Sequence, residues 1–307
     1  MQAQAIATHD FLTTVEPFLF LAHHKAWFPH TTHILGIEFD GTTSFRPGAR
    51  FGPSAIRSTA KNLEDYSPYL DREINHDTIV DMGNLPFYPS RQDLLHEAFA
   101  QLTHGIDLKT QHIKLLTLGG EHAISWMPMT FYLAQYEDLV IIHLDAHADL
   151  RDGYLADDFS HASVIRRVLD HFKPTHRLLQ YGIRSGTREE FEFMRSQQTL
   201  STSLTDFCQK LTAIDDTRPI YLTLDLDFFD PAYLPGTGTP EAGGENFHNF
   251  MKIVKILAGK NLVGADIVEL APNIDPTGNS ACFAAKVTRE ILLALDNGKD
   301  QHHPGNP

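Results

Sequence analysis

The chain has 307 residues, 42% of them hydrophobic and 21% charged, the balance of an ordinary globular protein. Its 25 basic and 39 acidic residues leave a net charge of −14, which argues against nucleic acid, whose phosphates require basic patches. There is no apolar stretch long enough to span a bilayer and no basic-then-apolar leader over 1–20, and Cys208 and Cys282 have neither metal nor redox spacing, so a cytoplasmic protein with free thiols is expected.

The apolar run 33–39 (HILGIEF) predicts a strand entering the Gly/Pro-rich loop 41–52. A helix follows from about Pro53, with the proline suited to its first turn. A short strand is expected over 78–82, and Ser90 followed by Gln92 and Asp93 predicts a capped helix reaching about His104. Runs 113–118, 139–144 and 220–224 read as buried strands. Helices are expected from His122 to about Tyr136, over 161–172 and over 187–195, with a strand over 177–183. The last third predicts a helix over 245–258, a strand over 262–270 and an amphipathic helix over 280–295. Residues 1–32 form an expected N-terminal extension and 33–296 one domain without linker or repeat. The polar tail 297–307 is expected to be disordered, its His302–His303 pair no site. Such alternation predicts a single-domain three-layer α/β/α fold with a mostly parallel central sheet, where ligands gather beyond the carboxyl ends of the strands.

Three short blocks stand at those strand ends: Gly119-Gly120-Glu121-His122, Asp145-Ala146-His147-Ala148-Asp149, and Asp225-Leu226-Asp227 followed by Asp230-Pro231. Residues two apart on an extended chain point the same way, so Asp145, His147 and Asp149 are expected to share one space, as are Asp225 and Asp227. A lone Asp-x-Asp after a strand is ordinarily a turn or a helix cap. Asp-x-His-x-Asp is a stronger signal, because burying three ionisable groups without a cation is expensive. With all three blocks in one domain, His122, Asp145, His147, Asp149, Asp225 and Asp227 become candidate ligands for two divalent cations. Four carboxylates, two imidazoles and no thiolate favour Mn²⁺ over a structural zinc.

In this order the blocks resemble the ureohydrolase family of arginases and agmatinases, over roughly residues 33–296. The most specific part is the run 225–244 (DLDFFDPAYLPGTGTPEAGG), and 48–57 (GARFGPSAIR) is similar to the family's N-terminal loop and helix. The resemblance implies an arginase-like fold around a binuclear Mn²⁺ site, hydrolysis of a guanidino compound to urea and an amine, and a homotrimer or homohexamer. It further implies that His122 and Asp149 hold one metal, His147 and Asp227 the other, and that Asp145 and Asp225 bridge them. Asp230 would support structure without binding metal. Glu121 stands where many members have Asp, and Ala123 where Ser is frequent, neither at a ligand position.

A guanidinium is stabilised by resonance, and two cations about 3.5–4 Å apart would lower the pKa of a bridging water so that a hydroxide can attack it. Glu269 ends the apolar stretch 263–272 and is the candidate to grip the guanidinium through two parallel hydrogen bonds. Its residue type and place alone favour a strand-end acid paired to a base, whereas the resemblance points to substrate binding. His161 matches the family's proton-shuttling histidine, although a histidine near a helix start is ordinarily a surface or capping residue. His143 is expected to be a core or supporting histidine. The loop 149–160 carries Asp152, Asp157 and Asp158 against Arg151 alone; Asp157 and Asp158 are candidate substrate-binding residues in an acidic mouth suited to a cationic guanidino substrate. The loop's wording resembles bacterial agmatinases, so agmatine is the expected substrate, with putrescine, a polyamine, and urea as products. Guanidinobutyrate, aminopropylagmatine and arginine are the alternatives within the family. An inactive, regulatory member would be expected to have lost a ligand, Glu269 or His161, and a deacetylase-like zinc amidohydrolase would have no use for His122.

Overall fold

Nine strands form one sheet in the computed structural model, which describes residues 4–296. The strands are β1 (Ala22–His23), β2 (Thr32–Ile37), β3 (Ile79–Asn84), β4 (Lys114–Gly119), β5 (Val140–Leu144), β6 (Arg177–Tyr181), β7 (Leu200–Ser201), β8 (Pro219–Asp225) and β9 (Asn261–Val268). Their order across the sheet is β7-β6-β5-β8-β9-β4-β2-β3-β1, and every neighbouring pair is parallel. Sheets of this kind are covered on both faces, which is why the central strands are apolar throughout rather than alternating. On β8, Ile220, Leu222 and Leu224 face one core cluster and Tyr221 the other.

Helices α1 (Gly52–Ala60), α6 (Leu204–Thr212), α7 (Phe247–Leu257) and α8 (Asn279–Leu295) supply Ile56, Phe207, Ile253 and Ile291 to the first cluster. Helices α2 (Gln92–Thr103), α3 (Trp126–Gln135), α4 (Val164–Leu169) and α5 (Arg188–Gln197) supply Phe99, Met129, Val168 and Met194 to the second. The predicted three layers are present. No helix among the described residues is long and apolar enough to cross a membrane. Both thiols are free, Cys208 half-buried and Cys282 exposed.

Several details differ from the sequence expectations. Ser90 does not cap α2: it has φ +53°, Arg91 occupies the N-cap position, and no side chain accepts there. The predicted helix over 161–172 is a 3-10 turn, His161–Ser163, followed by the short α4. The predicted amphipathic helix α8 is buried on every side from Val287 to Leu295, including Arg289 and Glu290, which pair with each other. Helix α6 and the two-residue edge strands β1 and β7 were not anticipated. The tail 297–307, with His302 and His303, lies outside the described residues.

The strand order sets the site. Strands β5, β8, β9 and β4 are consecutive neighbours at the middle of the sheet. Their registers pair His143 with Thr223, Asp225 with Val268, and Leu118 with Ile267. All three motif blocks and Glu269 therefore emerge along one edge, at the carboxyl ends of adjacent strands.

Candidate metal centre

The residues after β5 and β8 converge by turning, not by continued extension. The chain bends at Ala146, and His147 forms a parallel bridge to Ser185. Asp149 then adopts φ +53°, an unusual conformation for a residue with a side chain. After β8, Asp225 caps the 3-10 turn Leu226–Phe228, its Oδ1 accepting the Asp227 amide at 2.8 Å. The Asp145 Oδ1 likewise accepts the His147 amide at 2.6 Å, and Asp227 Oδ1 accepts the Ala146 amide at 3.1 Å. These bonds lock the carboxylates before any ligand is considered.

His122 opens the 3-10 turn leading from β4 into α3. Its Nε2 lies 2.9 Å from Thr223 Oγ1, whose hydroxyl donates to Asp266 Oδ1 at 2.6 Å. Thr223 has one proton to give and gives it to Asp266, so Nε2 of His122 is the donor. In the neutral ring Nδ1 would then be a lone pair, buried and with no donor bonded to it among the described residues. It faces Asp145 Oδ2 at 3.0 Å, Asp149 Oδ2 at 2.9 Å and Asp225 Oδ2 at 3.6 Å. An acceptor aimed at three acceptors requires a cation between them, a proton or a metal ion.

The other half of the cluster repeats the arrangement. His147 Nδ1 is 2.9 Å from Asp227 Oδ2 and 3.6 Å from Asp145 Oδ1. Asp145 thus turns one oxygen to each histidine. Burial disfavours the charged ring of His147, yet Asp227 and Asp145 raise its pKa to about 12. Burial acts against the charged form of His122 too, and Asp145 and Asp149 still hold it well above the usual histidine range. Asp225 is held well above the usual carboxylate range, by burial first and then by Asp227 and Asp145. Burial and Asp145 raise Asp227 as well. Such crowding is costly for bare carboxylates and suits divalent cations. The oxygen-rich donor set fits hard ions; five of the six expected ligands fall in two groups sharing Asp145, and Asp225 approaches them through His122 at 3.6 Å.

His143 also reaches the cluster, but both its nitrogens are engaged. Nε2 lies 2.8 Å from Asp145 Oδ2, and Nδ1 accepts from the Gln180 amide at 3.1 Å. Gln180 is oriented by Thr199, which donates to its Oε1 at 2.7 Å. His143 therefore holds Asp145 in place, as a supporting histidine should. Asp230 accepts the amides of Ala232, Gly243 and Gly244 and fastens the loop after β8. Sequence reasoning missed Thr223, Asp266 and Gln180. A carboxylate in the middle of the apolar stretch 261–268 was the one available signal, and it marks Asp266, which also accepts from Ser125 and Tyr221.

Glu269 follows β9 with φ +69°, its amide bonded to Gly120 O at 2.8 Å. Its Oε1 accepts the His122 amide at 2.7 Å, so it stands beside the cluster, and among the described residues it is not paired to a base. Burial, then Glu121, raises its pKa well above the usual range. His161 lies where Asp149, His147 and His122 act on its charge, and burial lowers its pKa. The ring of Tyr154 meets it edge-on at 5.9 Å. Asp157 is placed in the turn 154–157, and its Oδ1 accepts the Phe159 amide at 2.8 Å. Asp158 is exposed, and Asp152 pairs with Arg167.

Comparison with known proteins agrees with this geometry. The family model for the arginase family matches residues 30–294. The agmatinase of Bacillus anthracis is 37% identical, with 90% of this chain and 95% of that protein covered. For the agmatinase of Bacillus subtilis (strain 168) the identity is 36%, with 90% and 96% covered. The structure of proclavaminate amidino hydrolase from Streptomyces clavuligerus superposes with a TM-score of 0.82, at 25% identity, covering 94% of this chain and 99% of that one.

Proposed function

The chain belongs to the arginase family and is a metal-dependent hydrolase of the ureohydrolase type, and on that premise we propose that it is an agmatinase, cleaving agmatine to putrescine and urea. The observation that carries the metal site is the buried approach of His122 Nδ1 to Asp145 and Asp149, at 3.0 and 2.9 Å, while its Nε2 is taken up by Thr223. We propose that His122, Asp145, His147, Asp149, Asp225 and Asp227 would hold two Mn²⁺ ions. When bound, the pair would supply a nucleophilic water at neutral pH. The residues of the chain do the rest. Glu269, fixed through Oε1 by the His122 amide, offers a carboxylate to the planar guanidinium and orients its carbon. His161, neutral near pH 7 because burial lowers its pKa, accepts a proton and passes it to the leaving amine.

Agmatine is favoured by the near full-length likeness to proteins named agmatinase. The fold alone does not choose, since a protein named for proclavaminate shares it. Asp157 and Asp158 are proposed to favour the cationic far end of the substrate, and the assembly proposed is a homotrimer or homohexamer. The test is metal-free protein reconstituted with Mn²⁺ and assayed for urea against agmatine, arginine and guanidinobutyrate, with elemental analysis in parallel. Close to two Mn²⁺ per chain and fastest turnover of agmatine are expected. One tightly held metal in fully active protein would end the binuclear assignment, and urea released fastest from another compound would end the agmatine assignment.

A further inference from the structure

The loop 41–52 and the motif glutamate meet at His161, away from the metal ligands' own bonds. Glu121 is fully buried and is surrounded by donors. The Thr42 amide lies 3.0 Å from Oε1 and 3.2 Å from Oε2, the Thr42 hydroxyl donates to Oε1 at 2.8 Å, and the Thr43 hydroxyl donates to Oε2 at 2.9 Å. Thr42 Oγ1 also receives the His161 amide at 3.0 Å and stands 3.2 Å from His161 Nδ1. A hydroxyl has one proton and two lone pairs. Thr42 gives its proton to Glu121, so it can only accept from His161, and Nδ1 must carry the ring's proton. That leaves Nε2 as the basic atom. It lies on the open side of the ring, 3.4 Å from the exposed Ser44 Oγ.

We propose that Thr42 and Glu121 are positioning residues for the reaction: the chain Glu121–Thr42–His161 fixes the histidine as its Nδ1–H tautomer and so makes Nε2 the atom that carries the proton. When Nε2 takes a proton, Nδ1–H still donates to the Thr42 hydroxyl oxygen. The proton then leaves from Nε2, and the chain Nδ1–H···Thr42–OH···Glu121 is unchanged through the cycle. Binding to the backbone amide and to the ring of the same histidine lets one hydroxyl set both its position and its tautomer. The inference rests on the proposed proton-transfer role of His161.

The test compares Thr42→Val, which keeps the shape and loses the hydroxyl, with Thr42→Ser, which keeps the hydroxyl. Thr42→Val is expected to lower kcat roughly 10–100-fold, the scale for removing a partner that orients a functional imidazole, with KM and metal content unchanged. Thr42→Ser should restore most of the rate. Nitrogen NMR of ¹⁵N-histidine-labelled full-length protein, loaded with zinc as a diamagnetic substitute, should show His161 protonated at Nδ1 in the parent and in Thr42→Ser, and shifted toward Nε2 protonation in Thr42→Val. On a His161→Asn background, Thr42→Val should cost nothing further. An Nε2-protonated His161 in the parent, or an unchanged tautomer and rate in Thr42→Val, overturns the relay. If His161→Asn itself turns over at the parent rate, the shuttle role fails instead, and the NMR result still reports separately whether Thr42 sets the tautomer.

Discussion

His122 Nε2 is held by Thr223, which leaves Nδ1 to face Asp145 and Asp149, and the proposed metal centre turns on that one atom. Thr223 is committed to Asp266, so removing the ring should be felt chiefly by the metal it faces. His122→Asn is expected to leave one Mn²⁺ per chain more weakly held than the other, whereas Asp145→Asn, which removes the carboxylate turned toward both histidines, should weaken both; isothermal titration of metal-free protein distinguishes the two patterns. His161 belongs to a different class of residue. His161→Asn should lower kcat by roughly 10²–10⁴-fold, the usual scale for lost acid–base help, and leave metal content intact. An unchanged rate at saturating substrate would return it to a capping role at the start of its 3-10 turn. The candidate ligands were legible because three blocks of the right residue types followed three apolar runs. Their supports were not, since Thr223 and Gln180 are ordinary polar residues in strands and become informative only once the sheet register sets both beside His143 and Thr223 comes within reach of His122. The convergence was also anticipated for the wrong local reason, because left-handed Asp149 and the turn at Asp225 replace the extended geometry.

At the scale of elements, helix α1 is tied to strand β3 by an ion pair with almost no solvent. Arg57 donates from Nε to Asp81 Oδ2 at 2.8 Å and from Nη2 to Oδ1 at 2.9 Å, and its Nη1 reaches Asn84 Oδ1 at 2.6 Å. Asp81 also accepts the Phe18 amide at 3.0 Å, so the pair fastens the N-terminal segment as well. Removing one partner leaves a buried charge uncompensated, and Arg57→Ala should destabilise the protein by about 3–5 kcal/mol, read from urea unfolding. A loss below about 1 kcal/mol would mean that water reaches Asp81, as at a surface pair. On β2, burial lowers the pKa of His33 to about 3, and its Nε2 accepts the Phe28 amide at 3.0 Å. The unfolded chain takes up a proton near pH 6.5 that the folded chain refuses, so His33 contributes nothing above that pH and costs stability as the pH falls from about 6.5 toward 3. Its share of the slope approaches about 1.4 kcal/mol per pH unit, and unfolding curves of His33→Gln, measured metal-free, should be flatter by that amount. Equal slopes would show that the ring is protonated in the fold. Most of these elements could be read from apolar runs and turn residues. The two-residue strands β1 and β7 have no periodicity to read. Helix α6 did carry a signal, with Ser203 accepting the Asp206 amide and Phe207 and Leu211 four apart on its buried face.

For the whole molecule the open choice is the substrate, and charge is the lever that separates the candidates. Agmatine and arginine would present the same guanidinium to the proposed site at Glu269 and differ at the far end, where arginine carries a carboxylate. A chain with a net charge of −14 repels that group at long range, and an acidic loop would repel it again at the mouth. Agmatine is therefore expected to exceed arginine by at least about tenfold in kcat/KM, worth about 1.4 kcal/mol. Two origins make different predictions. Asp158 is exposed, so a preference that comes from the loop is screened within about 10 Å at 0.1 M salt and should shrink as salt is added. Replacing Asp157 and Asp158 together by Asn is the matching substitution, because asparagine at 157 keeps an oxygen to accept the Phe159 amide and so preserves the turn. A gap that narrows both in the double variant and in salt assigns the choice to the acidic loop. If instead the gap is full in both, pocket shape makes the choice and the two aspartates serve the turn alone; arginine turned over as fast as agmatine would remove the preference altogether.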